Sequence, residues 1–180
     1  MEKKQMQVNG MTFELMLGED SIKARVKELA KQVKNDMGED SPIFISVLNG
    51  SFVFAADFTR YYEGDCEIHF IKLSSYCGTC STGNVIKTIG IDGCLVKNRR
   101  VVIIEDIVET GCTMQALIKE LESFEPKDIH IAALFVKPEK LKDKVKVDYR
   151  CFDISNEFII GYGLDLDRKY RNLPDVYRKV

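Results

Sequence analysis

The sequence predicts an α/β fold, a largely parallel sheet flanked by helices, on three observations. Short apolar runs rich in β-favouring residues recur at 43–48, 101–104 and 129–136, the signature of strands buried on both faces. Between them lie segments with helical spacing of apolar residues, such as Ile22, Val26, Leu29, Ala30 and Val33. The apolar runs also end abruptly in small or charged residues, as βα turns do. Strands alternating with helices in one chain place the strands side by side and parallel.

Taken in order, residues 1–18 are mixed, with a short strand or arm around 11–15. Asp20-Ser21 reads as the N-cap of a first helix, which ends near Gly38. Pro42 precedes the strand at 43–48, and Asn49-Gly50-Ser51 leads into a helix reaching about Tyr62. Residues 66–73 form a further strand. The Ser/Thr/Gly-rich stretch 74–84 has only Tyr76 as a bulky apolar group, too little to hold it in a packed core, so it reads as a mobile lid or binding loop at the tip of a hairpin returning at 85–89. After the strand at 101–104, Met114, Leu117, Ile118 and Leu121 mark a helix. The strand at 129–136 ends in Lys137-Pro138, residues 139–146 are a charged, solvated connection, and 147–152 is a last core strand. The apolar run 158–163 is followed by Asp165, Asp167, Arg168 and Arg171.

Composition bounds the function. The 180 residues suit one domain, and 45% hydrophobic with 30% charged residues is an ordinary globular balance. A net charge of −2 argues against a protein held mainly by nucleic-acid phosphates. No apolar run nears the ~20 residues that span a bilayer, and the N-terminus has no signal-peptide core, so a cytoplasmic protein is expected. Of six cysteines, Cys77 and Cys80 have C-x-x-C spacing, but no second pair exists for a zinc ribbon and they sit in a loop, not at a helix start. There is no P-loop and no dinucleotide fingerprint. His69 and His130 lie inside strands, where packed or surface roles are the ordinary ones.

The richest chemistry lies at 101–113: a buried strand, the acids Glu105 and Asp106, then Glu109, then Thr110-Gly111-Cys112-Thr113 before a helix. A small-residue loop entering a helix offers backbone N–H groups to an anion such as a phosphate. Paired carboxylates repel that anion and suit sugar hydroxyls, a divalent cation or a proton. The plainer alternative is a βα turn in which Thr110 or Thr113 caps the helix. Asn49-Gly50, Glu105-Asp106 and Lys137 all follow apolar strands, so one crevice at the carboxyl ends of a parallel sheet can hold them.

On these residues the chain resembles the type I phosphoribosyltransferases, and within them the 6-oxopurine branch, the hypoxanthine (guanine) phosphoribosyltransferases. The resemblance is carried by 101–113, by Leu48-Asn49-Gly50-Ser51, by the lid motif around Ser75 and Tyr76 with Ser81-Thr82-Gly83, by Lys137, by 156–165 and by Tyr170-Arg171 with Pro174. It implies one domain with a core at about 20–150 and a small hood from about 1–19 and 151–180. It implies transfer of a phosphoribosyl group from phosphoribosyl pyrophosphate to hypoxanthine or guanine, with Mg2+, through an oxocarbenium-like state, by a homodimer or homotetramer that needs neither nucleic acid nor membrane. Residue by residue, it implies ribose contacts for Glu105 and Asp106, which would also stand near the metal, and a 5′-phosphate cradle at Thr110, Gly111, Cys112 and Thr113. Pyrophosphate would meet Asn49, Gly50, Ser51 and Arg171; Lys137 would read purine O6, Phe158 would stack on the base and Ile159 would meet its edge; Asp165 would serve the metal. The Leu48–Asn49 peptide is cis in that family. Glu109 stands where the family usually has an aspartate that takes the N7 proton, and Asn49 where many members have a cation. The competing class is a non-catalytic regulator of the same fold that binds nucleic acid. It would call for a basic face or a lost catalytic acid.

Overall fold

The computed structural model describes residues 4–75, 85–90, 92–141 and 144–180, with 74–75 and 85–89 as backbone alone. The chain begins with β1 (Gln5–Val8), β2 (Met11–Leu17) and α1 (Glu19–Met37), then β3 (Ile43–Leu48), α2 (Phe52–Tyr61) and β4 (Glu67–Ser75). Next come β5 (Val85–Ile89), a single turn α3 (Gly93–Val96), β6 (Arg100–Val108), α4 (Cys112–Glu122) and β7 (Asp128–Val136). A single turn α5 (Pro138–Leu141), β8 (Tyr149–Asp153), β9 (Ile159–Ile160) and β10 (Val176–Lys179) complete it.

The central sheet has the order β5-β4-β3-β6-β7-β8. Its members run parallel except β5, which returns antiparallel along β4. Val101, Val102, Ile103 and Ile104 are each fully buried because both faces of the sheet are covered. α1 and α2 lay Val26, Leu29, Phe54 and Phe58 on the face carrying Phe44, Val102 and Ile104. α4 lays Met114, Leu117 and Leu121 on the face carrying Ile45, Val101 and Ile103. Each large aliphatic side chain so buried contributes roughly 1.5–3 kcal/mol. From β3 the chain builds outward to β4, and from β6 it builds the other way to β7 and β8. The switch point therefore lies between β3 and β6, where the loops after these strands open a crevice.

A second, four-stranded antiparallel sheet, β1-β2-β10-β9, joins the two ends of the chain over a small core of Val8, Phe13, Ile160 and Tyr177. Asp175 ties it to the central layer: its carboxylate accepts from the Glu19 N–H at 3.0 Å and from the Lys4 ammonium at 2.8 Å. This corrects the expected cap. Helix α1 starts at Glu19, with Gly18 at the cap, so Asp20 and Ser21 lie inside its first turn. The capping carboxylate comes from 156 residues away, beyond any local reading.

Two further differences matter. β6 runs on to Val108, so Glu105 and Asp106 lie within the strand and not after it. The cause is β7, which keeps pairing through Glu105↔Ala133, Ile107↔Phe135 and Val108↔Val136. The connection after β7 is not wholly irregular either, since α5 occupies its start. Among the described residues, no helix is long and apolar enough to cross a membrane.

Candidate active site

At the switch point a cleft of about 410 Å³ opens between the ends of β3 and β6 and the start of α4. Val47, Leu73 and Met114 give it apolar walls, and Glu105, Glu109, Thr110, Gly111 and Thr113 give it polar ones. Tyr76 and the Cys77 and Cys80 pair lie outside the described residues, as does the side chain of Ser75.

Glu105 is buried and Asp106 is its immediate neighbour. Burial, then the Asp106 charge, pushes the Glu105 carboxyl well above the usual range. Burial raises Asp106 too, against hydrogen bonds from Glu105 and the Ile107 N–H and the charge of Arg171. Two carboxyls that resist ionising together call for a shared proton, a cation or hydroxyl donors.

The segments around this pair meet at glycines. A Cβ on Gly50 would stand 1.5 Å from Asp106 Oδ2, so only glycine lets the loop after β3 lie against the acid. A Cβ on Gly163, whose φ is +99°, would stand 2.1 Å from the Gly50 carbonyl oxygen. The Leu48–Asn49 peptide is cis. Ser51 does not present its hydroxyl: it is fully buried, donates to the Val47 carbonyl at 2.6 Å and bonds Ser46 Oγ at 2.6 Å.

The loop into α4 lacks the threonine cap of the plainer alternative. Gly111 is the N-cap at φ +74°, and no side chain caps the helix. Thr110 Oγ1 accepts only a long 3.5 Å contact from the Cys112 N–H. First-turn N–H groups therefore point outward without a threonine cap. Cys112 Sγ lies 3.4 Å from Lys144 Nζ.

Glu109 is the centre of the charged cluster. Lys137, buried directly after β7, donates to Glu109 Oε1 at 2.6 Å, and Lys140 of α5 donates to Oε2 at 3.0 Å. Burial alone would raise the Glu109 carboxyl, but hydrogen bonds from the two ammonium groups, with their charges, hold it below the usual range. Lys140 belongs to no motif. It was hidden in a stretch that reads as solvated charge, and nothing in the sequence separated it from Lys142, Lys144 or Lys146.

Arg171 and Asp165 arrive from the loop after β9. Arg171 donates to the Gly163 carbonyl at 2.7 Å and pairs with Asp165 at 2.6 Å, while Asp165 also accepts the Arg168 N–H at 2.7 Å. Phe158 directly precedes β9 of the second sheet and Ile159 begins it, and neither lines the cleft. Phe158 is 47% exposed with its ring 6.3 Å from Phe13, whereas Ile159 is buried. Among the described residues no three or more His, Cys, Asp or Glu side chains cluster as a ready metal cage.

The family model for a phosphoribosyl transferase domain matches residues 18–167. A curated hypoxanthine-guanine phosphoribosyltransferase of Streptococcus pyogenes is 37% identical over 162 residues, covering 90% of each chain. The crystal structure of a hypoxanthine-guanine phosphoribosyltransferase from Bacillus anthracis superposes with a TM-score of 0.87 at 38% identity, covering 92% of this chain and 98% of that one. A mutant hypoxanthine phosphoribosyltransferase from Trypanosoma cruzi, solved with its product IMP, gives a TM-score of 0.86 at 31% identity over 97% of this chain and 93% of that one.

Proposed function

The chain belongs to the phosphoribosyltransferase family, among the hypoxanthine-guanine enzymes, and from that premise we propose how its own residues divide the reaction. It is a purine-salvage transferase that turns hypoxanthine or guanine and phosphoribosyl pyrophosphate into IMP or GMP and pyrophosphate. The observation that carries the residue assignment is the Lys137–Glu109 pair at 2.6 Å beside the cleft. A 6-oxopurine carries an O6 acceptor and an N7–H donor on one edge. An ammonium next to a carboxylate complements that edge, whereas the 6-amino group of adenine would meet the ammonium as a second donor.

In this reading the purine N9 lone pair forms the bond to the anomeric carbon as the bond to pyrophosphate oxygen breaks, and the N7 proton passes to Glu109. Glu109 is held ionised by its two lysines, so it is ready to accept. Thr110, Gly111, Cys112 and Thr113 hold the 5′-phosphate through N–H and hydroxyl groups. Glu105 and Asp106 accept from the ribose 2′ and 3′ hydroxyls, whose donors relieve the pair's mutual repulsion. Asn49, Gly50 and Arg171 take the pyrophosphate, and Ser51 contributes backbone only. Phe158 would cover the purine face and Ile159 meet its edge, the hood closing over the core, with Ser75 and Tyr76 as the lid.

The donor set also fits magnesium. Asp165, Glu105 and Asp106 offer hard carboxylate oxygens but too few for a cage, which is how this ion is usually held, with substrate phosphates and water filling the rest. When bound it would neutralise charge on the departing pyrophosphate. We place the enzyme in the cytoplasm, in keeping with the free thiols Cys66, Cys94 and Cys151. We expect a homodimer or homotetramer; exposed Ile68 and Phe70 share one face of β4, an apolar surface suited to a second copy.

Incubated with phosphoribosyl pyrophosphate and hypoxanthine, the protein should release IMP and pyrophosphate in equal amounts, with the rate rising as magnesium is titrated in. Absence of nucleotide from both hypoxanthine and guanine at saturating magnesium would overturn the reading.

A further inference from the structure

Lys137 and Lys140 each bind a different oxygen of Glu109, at 2.6 Å and 3.0 Å. Their settings differ. The Lys137 side chain is 6% exposed and that of Lys140 is 35% exposed. The single turn of α5 sets them together: the Lys140 and Leu141 N–H groups both donate to the Lys137 carbonyl, at 3.0 Å and 3.1 Å. Residues three apart on a turn share a side. The turn is anchored to the phosphate loop, since Leu141 is buried and packs so closely on Gly111 that a Cβ there would come within 2.8 Å of its Cδ1.

We infer that Lys140 is a positioning residue for the reaction, holding Glu109 toward the purine N7 when Lys137 turns to O6. The inference rests on the proposed role of Glu109. An aspartate at this position has two side-chain torsions to fix and a glutamate has three. When a purine draws the Lys137 ammonium onto O6, Glu109 Oε1 loses part of its buried partner, and the longer side chain is free to swing unless its other oxygen is held. Lys140 supplies that second hold from the solvent side, clear of the apolar walls of the cleft. Among the described residues the charged groups facing Glu109 are Lys137 directly after β7, Lys140 from α5, and Glu105 from β6, the strand before it, which lines the same cleft; α4 presents the uncharged Thr113 and Met114.

The test is a kinetic series on the full chain: Lys140→Ala, Lys140→Arg, Glu109→Gln and the Glu109→Gln/Lys140→Ala double variant, each checked for an unchanged melting profile. Lys140→Ala should lower kcat about tenfold, as a misplaced group does, and leave KM for phosphoribosyl pyrophosphate unchanged. Its acid limb in kcat/KM should move to higher pH, because the carboxylate has lost one of the two cations that depress it. Lys140→Arg should recover most of kcat, and in the Glu109→Gln background the alanine change should have no further effect. A wild-type kcat and acid limb in Lys140→Ala, or an equal loss in the Glu109→Gln background, would overturn the inference and leave the role of Glu109 standing. Full turnover by Glu109→Gln would instead remove Glu109 as the base, and the inference with it.

Discussion

Replacing Glu109 with glutamine should lower kcat by about 10²–10⁴, the range that proton handling by a positioned side chain contributes. Glutamine keeps the length and an oxygen that can accept from Lys137, so the site keeps its shape, but it cannot take the N7 proton. Affinity for phosphoribosyl pyrophosphate should hold, because the cradle at 110–113 and the pair Glu105 and Asp106 are untouched. Lys137 is buried and loses its counter-charge, so some stability should be lost as well. Turnover at saturating substrates, read with a melting curve, separates the two effects. A kcat within about threefold of wild type, well short of the range above, would remove Glu109 from proton transfer.

Gly50→Ala should all but abolish activity by a different route. Its Cβ would stand 1.5 Å from Asp106 Oδ2 and 2.5 Å from Asp106 Cγ. The carboxylate of Asp106 cannot retreat cheaply, because it is packed beside Glu105 and fixed by the Ile107 N–H at 3.0 Å. Nor can the loop move outward, since the Gly50 carbonyl lies against Gly163. Either shift breaks the junction between the pyrophosphate loop and the ribose-binding acids. Overpacking of this kind costs about 1–3 kcal/mol of stability, and the larger loss should appear as a failure to bind phosphoribosyl pyrophosphate. Calorimetric titration of the folded variant checks it; wild-type affinity would show that the contact with Asp106 is dispensable.

Much of this molecule could be read locally. The parallel core follows from apolar runs such as 101–104, whose four residues are all buried. The crevice follows from the position of Asn49 and Lys137 directly after their strands. What escaped local reading depends on partners distant in sequence. The cap of α1 comes from Asp175, and no pattern near Glu19 hints at it. The acids lie inside β6 because β7 continues to pair beyond Ile104. Ser51 looked like a ligand group, yet its hydroxyl is committed to Ser46 and the Val47 carbonyl. Lys140 carries no signal of its own, because its importance comes from a turn that packs against Gly111. The resemblance carried the role assignments, and the structure added the contacts that join the motifs: Gly50 to Asp106, Gly163 to Gly50, and Glu109 to two lysines.

The central claim is that the Lys137–Glu109 pair reads the O6 and N7 edge of a 6-oxopurine. The most direct test is the ratio of kcat/KM for hypoxanthine to that for adenine, measured with phosphoribosyl pyrophosphate and magnesium in excess. A site built to donate to O6 should reject the 6-amino purine by about 10³ or more, and Lys137→Ala should collapse that ratio mainly by losing hypoxanthine. Comparable rates for the two bases in the wild type, or an unchanged ratio in Lys137→Ala, would contradict the account.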